Sequence, residues 1–254
     1  MIQHSDRAGP FNMGMDEAML RSAAEHGVAT LRLYTWSGPW LSLGYGQRRV
    51  PSERIESCLA AGIGVVRRTT GGRAVLHGGD LTYSVAAPEG MLRPGLRNSY
   101  DQVASSLLRA IRSLGASQAT RVPASRGVRD HKNFDCFAAP AGDEIVVGAE
   151  KLVGSAQRRR GGAVLQHGSI RIAADPLALA AAAGIDPEVS ISLAQLSLET
   201  TEDALREALI ASFAIDLEAR FSEAEPTSQE LVQARERESM HRHDALSAPT
   251  SKEV

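Results

Sequence analysis

Arg67-Arg68-Thr69-Thr70-Gly71-Gly72-Arg73-Ala74-Val75-Leu76-His77-Gly78-Gly79-Asp80-Leu81-Thr82-Tyr83-Ser84 is the stretch from which the rest of the chain is read. An apolar run, Ile63 to Val66, precedes it and reads as a buried strand bounded by glycines. Two arginines lead into a Gly-Gly pair, and apolar residues return at Val75, Leu76, Leu81 and Val85. Glycines let a backbone turn sharply and leave its N–H groups open to a ligand that a Cβ would obstruct. Arg67, Arg68 and Arg73 can donate to a carboxylate, carbonyl or phosphate, and His77 and Tyr83 add polar groups downstream. A lone Gly-Gly here would be a β-hairpin with a solvated basic turn. The density of arginine, glycine and histidine beside apolar strands weighs towards a ligand-contacting loop.

At 254 residues the chain suits one large domain or one and a half, with a sizeable core. A net charge of −2 gives no argument for a nucleic-acid or membrane surface. No apolar run reaches the roughly 18 residues of a membrane span, and the N-terminus lacks a signal pattern. The expected location is cytoplasmic. Two cysteines make no disulfide framework, so each is expected as a free thiol.

Helical periods alternate with short strands along the chain. Asn12 reads as an N-cap, with Met15, Met19 and Ala23 at helical spacing and Gly27 as the stop. Strands are expected at Leu31 to Thr35 and Leu41 to Tyr45. A helix follows Pro51, with Ile55, Cys58 and Leu59 on one face, which makes Cys58 a core residue. Ser99 and Gln102 form a capping-box pair for a helix ending at Gly115. A long loop runs from there to Asp135. Two strand pairs follow, one around Gly148 and one around His167-Gly168. Helices are expected after Asp175-Pro176 and over Thr201 to Ala214, the latter with Leu205, Leu209 and Phe213 inward. Hairpins mixed with helices, without strict βα alternation, argue for an α+β fold. The predicted division is a catalytic domain over 1–221, then a polar C-terminal helix and disordered tail over 222–254.

Several motifs in this one order resemble the biotin/lipoate protein ligase superfamily on its lipoate side, the lipoate-protein ligase A-like branch. They are Asn12-Met13-Gly14-Met15-Asp16-Glu17-Ala18, the Arg67–His77 stretch, Cys136-Phe137-Ala138-Ala139-Pro140, Lys151-Leu152-Val153-Gly154-Ser155-Ala156-Gln157, and Leu165-Gln166-His167-Gly168-Ser169. Within the superfamily, the cysteine-dependent octanoyltransferases of the LipM kind are the nearest match. The resemblance implies a class II ligase-like catalytic domain, a mixed β-sheet flanked by helices, with the acyl chain in a tunnel beneath the Gly-Gly loop. The residues beyond about 220 are too few and too polar for the accessory C-terminal domain that many lipoate ligases carry.

The resemblance also implies roles. Cys136 falls at the acyl-accepting position and Lys151 at the position of a lysine that contacts the reacting carbonyl. A thiolate is the reactive form, and an ordinary cysteine near pKa ~8.5 is only a few per cent ionised at neutral pH, so a neighbouring cation helps. A buried Lys151 with a lowered pKa would steady the oxyanion and shuttle the amine proton. Arg67, Arg68, Gly71, Gly72, Arg73, His77 and Tyr83, with Gly154, Ser155, Ala156 and Gln157, are the expected substrate-binding set. His167 is either a turn histidine or a site residue. Arg158-Arg159-Arg160 is a solvated hairpin turn, or a landing place for an acidic carrier.

The implied activity is N-octanoyl transfer, from octanoyl-acyl carrier protein through a cysteine thioester to a lysine on a lipoyl domain or glycine cleavage H protein. No cofactor and no metal are expected, and neither nucleic acid nor membrane is a partner. Three rivals stand beside it. An ATP-dependent lipoate–protein ligase would need ATP and Mg²⁺ and leave Cys136 a bystander; the others are a lipoyl amidotransferase and a degenerate ligase-fold binding module.

Overall fold

The computed structural model of the chain describes residues 1–122, 134–138, 144–198 and 200–241. It opens with β1 (Ile2–Arg7), α1 (Gly9–His26), β2 (Thr30–Trp36), β3 (Trp40–Leu43), α2 (Ser52–Ala60) and β4 (Gly64–Arg67). Then come β5 (Val75–His77), β6 (Asp80–Pro88), α3 (Leu96–Ser113), β7 (Ala119–Arg121), β8 (Ile145–Val147), β9 (Glu150–Arg160) and β10 (Ala163–Arg171). Three helices close the chain, α4 (Leu177–Ala183), α5 (Glu202–Asp216) and α6 (Ser228–His241).

Seven strands form one mixed sheet in the order β1-β2-β6-β10-β9-β8-β7, parallel only between β1 and β2. A smaller sheet has the order β4-β3-β5. One face of the large sheet is sealed by α3 and α5, where Leu107, Ile111, Leu205, Leu209 and Phe213 join Leu33, Val85 and Ile170 in one core. α1 covers part of the other face, with Met15, Met19 and Leu20 against Ala86 and Leu165. α2 and α4 back the small sheet, and Cys58 is fully buried there among Leu41, Leu76 and Ala180. The α+β expectation, a mixed sheet flanked by helices, is met.

Several local expectations are corrected. Asn12 is not the cap of α1, which begins at Gly9 with Pro10 in its first turn. Its side chain is needed inside, donating to the Arg7 and Thr35 carbonyls at 3.2 Å and accepting from Arg32 Nη2 at 2.6 Å. Ser99 likewise lies within α3 and donates back to the Gly95 carbonyl at 3.0 Å. Leu59 is 50% exposed although Ile55 and Cys58 are buried. The Gly71-Gly72 stretch is no hairpin, because β4 and β5 pair on opposite sides of β3, in parallel and antiparallel sense respectively. His167-Gly168 is no turn either: both lie in mid-β10, paired on one side with Ser84 and Tyr83 and on the other with Ala156 and Ser155. The turn of that hairpin is Gly161-Gly162, both at positive φ, so Arg158–Arg160 belong to the end of β9. Strands β1 and β7 were not anticipated. The 222–254 segment contributes α6, which packs along α1 through Ala234; residues 242–254, read as a disordered tail, lie outside the described residues.

Candidate active site

A cavity lies between the two sheets, with about 400 Å³ of empty volume counting its open mouth. Its walls include Met13, Tyr34, Trp36 and Val75 as apolar or aromatic surface, and Cys136 with Gly154, Ala156 and Gly72.

Cys136 is brought to the site by the strand that follows the Gly-Gly loop. Its N–H donates to the Ala74 carbonyl at 2.9 Å, the Ala74 N–H donates to the Phe134 carbonyl at 3.0 Å, and Asp135 forms a bridge with Ala74. Lys151 arrives from the other side, through a break in the β8–β9 register. Ile145 pairs with Val153 but Val146 pairs with Lys151, so β9 carries one extra residue there. In a regular strand residues 151 and 154 would face opposite sides; the bulge turns both to one side. A Cβ at Gly154 would stand 3.0 Å from Lys151 Cε, 3.1 Å from Nζ and 3.5 Å from Cys136 Sγ. Glycine there leaves the room that the pair occupies.

Lys151 Nζ donates to Glu144 Oε1 at 2.6 Å, to the Cys136 carbonyl at 2.8 Å and to Cys136 Sγ at 3.3 Å. Its side chain is 0% exposed and that of Glu144 is 5% exposed. Burial alone would push the lysine pKa down; the charges of Cys136 and Glu144 outweigh it, so the pKa lies above the usual value. The expected lowering is thereby corrected. The causes are the charge of Cys136 and, after it, that of Glu144, a carboxylate that no motif announced.

The two histidines are structural anchors of the cavity wall. His77 Nδ1 meets Asp80 Oδ2 at 2.8 Å, its Nε2 meets Ser42 Oγ at 2.9 Å, and its ring stacks on Trp36 with centroids 3.9 Å apart. His167 joins Asp16 Oδ2 at 2.7 Å and Thr70 Oγ1 at 2.5 Å, tying the Gly-Gly loop to α1. Asp16 also accepts from Arg32, Tyr34 and Ser84. Burial would raise its pKa, but the His167 bond and charge, with Arg32 and Ser84, bring it below the usual carboxylate value.

The arginines serve the loop. Arg68 is buried on the cavity wall, and it donates to the carbonyls of Ser42, Gly71 and Arg73. Arg67 holds the carbonyls of Gly44 and Gln47, and Arg73 Nη1 reaches the Asp135 carbonyl at 3.4 Å. Gly72 lines the cavity at a φ of 89°, whereas Gly71 lies outside the lining. Tyr83 and Gln157 point through the sheet to its other face: Tyr83 packs near Phe213 and bonds Ser155 Oγ at 2.7 Å, while Gln157 meets Ser99 of α3. Ser155 touches the cavity between them. Of the predicted set, then, Cys136, Arg68, Gly72, His77, Gly154, Ser155, Ala156 and His167 share one cavity, with Lys151 bonded to Cys136 from behind. Arg158 donates to Thr69, and Arg159 pairs with Glu89 at 3.0 Å. Met13 and Asp16 lie inside a quoted motif that gives neither a place at the cavity; Asp16, expected as a first-turn acid favoured by the helix dipole, lies beyond the first turn of α1, which begins at Gly9.

Residues 9–214 match the family model of the lipoyl protein ligase A/B catalytic domain. An octanoyltransferase LipM of Moorella thermoacetica is 46% identical over 162 residues, which span 63% of this chain and 59% of that protein. One of Kyrpidia tusciae is 38% identical over 241 residues, 87% of each chain. The chain thus spans under two thirds of the length of the first relative and most of the second. Among solved structures, a lipoate-protein ligase A bound with ATP superposes with a TM-score of 0.78 at 26% identity, over 94% of this chain and 93% of that one. The chain belongs to the lipoyl protein ligase A/B catalytic-domain family.

Proposed function

We propose that the protein is an octanoyltransferase of lipoate assembly: Cys136 takes octanoyl from an acyl carrier protein thioester and passes it to a lysine ε-amine on a lipoyl domain or glycine cleavage H protein. The observation that carries the reading is the 3.3 Å contact between Lys151 Nζ and Cys136 Sγ at a cavity with apolar and aromatic walls. The relatives named as octanoyltransferases support the same choice.

In the first half-reaction the Cys136 thiolate attacks the thioester carbonyl carbon. A carbon–sulfur bond to Cys136 forms, the bond to the carrier sulfur breaks, and that sulfur leaves with the electron pair and takes up a proton. One thioester replaces another, so the step is near thermoneutral and needs no ATP. In the second, a neutral lysine amine attacks the same carbon, the bond to Cys136 breaks, and the nitrogen releases a proton as the amide forms. Amide formation from a thioester runs downhill. The Lys151 ammonium lies beside the sulfur in both halves, and a fixed cation there favours the anionic sulfur that enters and leaves each step. The cavity walls would cover the alkyl chain, at roughly 0.8 kcal/mol per buried methylene. Cys58 and Cys136 are both free thiols, which fits a cytoplasmic setting.

The test supplies octanoyl carrier protein and a lipoyl domain with no nucleotide and with a chelator present. Octanoyl-lysine on the domain is the expected product. Product formed only from free octanoate or lipoate with ATP and Mg²⁺ would give the case to the ligase reading.

A further inference from the structure

An ammonium has three N–H donors and no acceptor. Among the described residues Lys151 Nζ, fully buried, has three acceptors: Glu144 Oε1, the Cys136 carbonyl and Cys136 Sγ. The first two keep their character throughout a transfer cycle. The third does not, because a thioester sulfur carries no charge and accepts hydrogen bonds poorly. Acylation therefore releases one N–H while an acyl oxygen arrives one atom away from the sulfur it faced.

We propose, on the basis of the transfer reading above, that Glu144 is a positioning residue: its bond to Nζ, with that of the Cys136 carbonyl, holds the ammonium so that the released N–H turns from the sulfur to the acyl oxygen. Glu144 gains and loses no atom. Its charge matters as much as its reach. Once the thiolate has become a thioester, Glu144 is the anion bonded to a buried ammonium that otherwise faces the Phe137 ring at 5.0 Å. Burial favours a neutral amine, and a neutral amine stabilises an oxyanion poorly. The surroundings do little to help. Arg68 bears on Cys136 from the loop, and Arg171 stands over the same Phe137 ring. Asp135, the other carboxyl nearby, accepts from the Phe137 N–H through Oδ1, and burial raises its pKa. The raised pKa of Lys151, in which Cys136 and Glu144 oppose burial, agrees with this division of labour.

The test loads the full chain with octanoyl from carrier protein, counts loaded Cys136 sites by intact mass, then adds a lipoyl domain and follows discharge per loaded site. Glu144→Gln keeps the shape and removes the charge. Discharge per loaded site should fall about tenfold or more, with the KM for the lipoyl domain within about twofold of wild type. Glu144→Asp keeps the charge, falls short by one methylene, and should lie between wild type and Glu144→Gln. Counting loaded sites removes loss through misfolding from the comparison. Discharge of Glu144→Gln within about twofold of wild type overturns the proposal, as does Glu144→Asp slower than Glu144→Gln. If Glu144→Gln folds too poorly to load, Glu144→Asp decides: wild-type discharge overturns the proposal, and a roughly threefold loss at unchanged KM supports it. A wild-type protein that never loads overturns the transfer reading and this proposal with it.

Discussion

The Cys136 N–H donates to the Ala74 carbonyl at 2.9 Å, so Cys136 is fastened to the strand that leaves the Gly71-Gly72 loop. Two segments far apart in sequence thus share one rigid edge. Lys151, delivered by a bulged strand from the opposite side, meets the cysteine there.

Lys151 carries two separable burdens. Removing it alone takes from the buried Glu144 carboxylate the ammonium bonded to it at 2.6 Å, which destabilises the fold. Lys151→Met is expected to lower the unfolding midpoint clearly and to cut transfer by about a hundredfold or more. The double variant Lys151→Met with Glu144→Met should regain much of the stability and none of the activity. Calorimetry and transfer assays on the same preparations check this; recovery of both together would contradict separate roles.

The second expectation concerns acid. His4 Nδ1 accepts from Arg32 Nε at 3.1 Å, so the ring is neutral in the fold. Burial, then the charges of Arg32 and Arg7, bring its pKa down from 6.5 to about 4. The unfolded chain therefore takes up a proton first, and His4's share of stability is complete above about pH 6.5 and declines as pH falls towards 4. His4→Gln should flatten the fall in unfolding free energy across that window in urea titrations. An unchanged slope would show that His4 does not contribute it.

The helix pair α1 and α6 supplies the third. A Cβ at Gly14 would stand 2.4 Å from the Ala234 carbonyl oxygen, a backbone atom that cannot swing aside. α6 ends at His241, which meets the Arg67 carbonyl at 2.6 Å. Gly14→Ala gains up to about 1 kcal/mol in helix propensity but overpacks this contact by about 1–3 kcal/mol. A lower melting temperature is expected, and a higher one would mean that α6 yields readily.

How much of this was legible in the sequence follows from what each residue's environment depends on. α5 was read closely because Leu205, Leu209 and Phe213 repeat at helical spacing and Thr201 caps the helix, accepting from the Ala204 N–H at 3.1 Å. Cys136 and Lys151 were found through motif resemblance, and the structure brings them together. Glu144 was not found: a single acid before an apolar strand is ordinary, and its partner is fixed by the bulge, which leaves no mark in a pattern of period two. The turn expected at His167-Gly168 rests on glycine's weak place inside strands. Here the glycine is required in mid-strand, where a Cβ would meet the Gly154 carbonyl oxygen at 2.4 Å. Asn12 and Ser99 misled for one reason: residues that cap helices also serve as buried polar anchors.

The most direct measurement is intact-mass and peptide analysis of the full chain after incubation with octanoyl carrier protein, without nucleotide, with Cys136→Ser and Cys58→Ser alongside. Cys58 is fully buried under α4, and burial raises its thiol pKa against the charge of Arg54. Wild type and Cys58→Ser should each gain one hydroxylamine-labile octanoyl group on Cys136, and Cys136→Ser should gain no thioester. An adduct mapped to Cys58, or no adduct on any cysteine while octanoyl still reaches the lipoyl domain, would contradict a covalent transfer through Cys136.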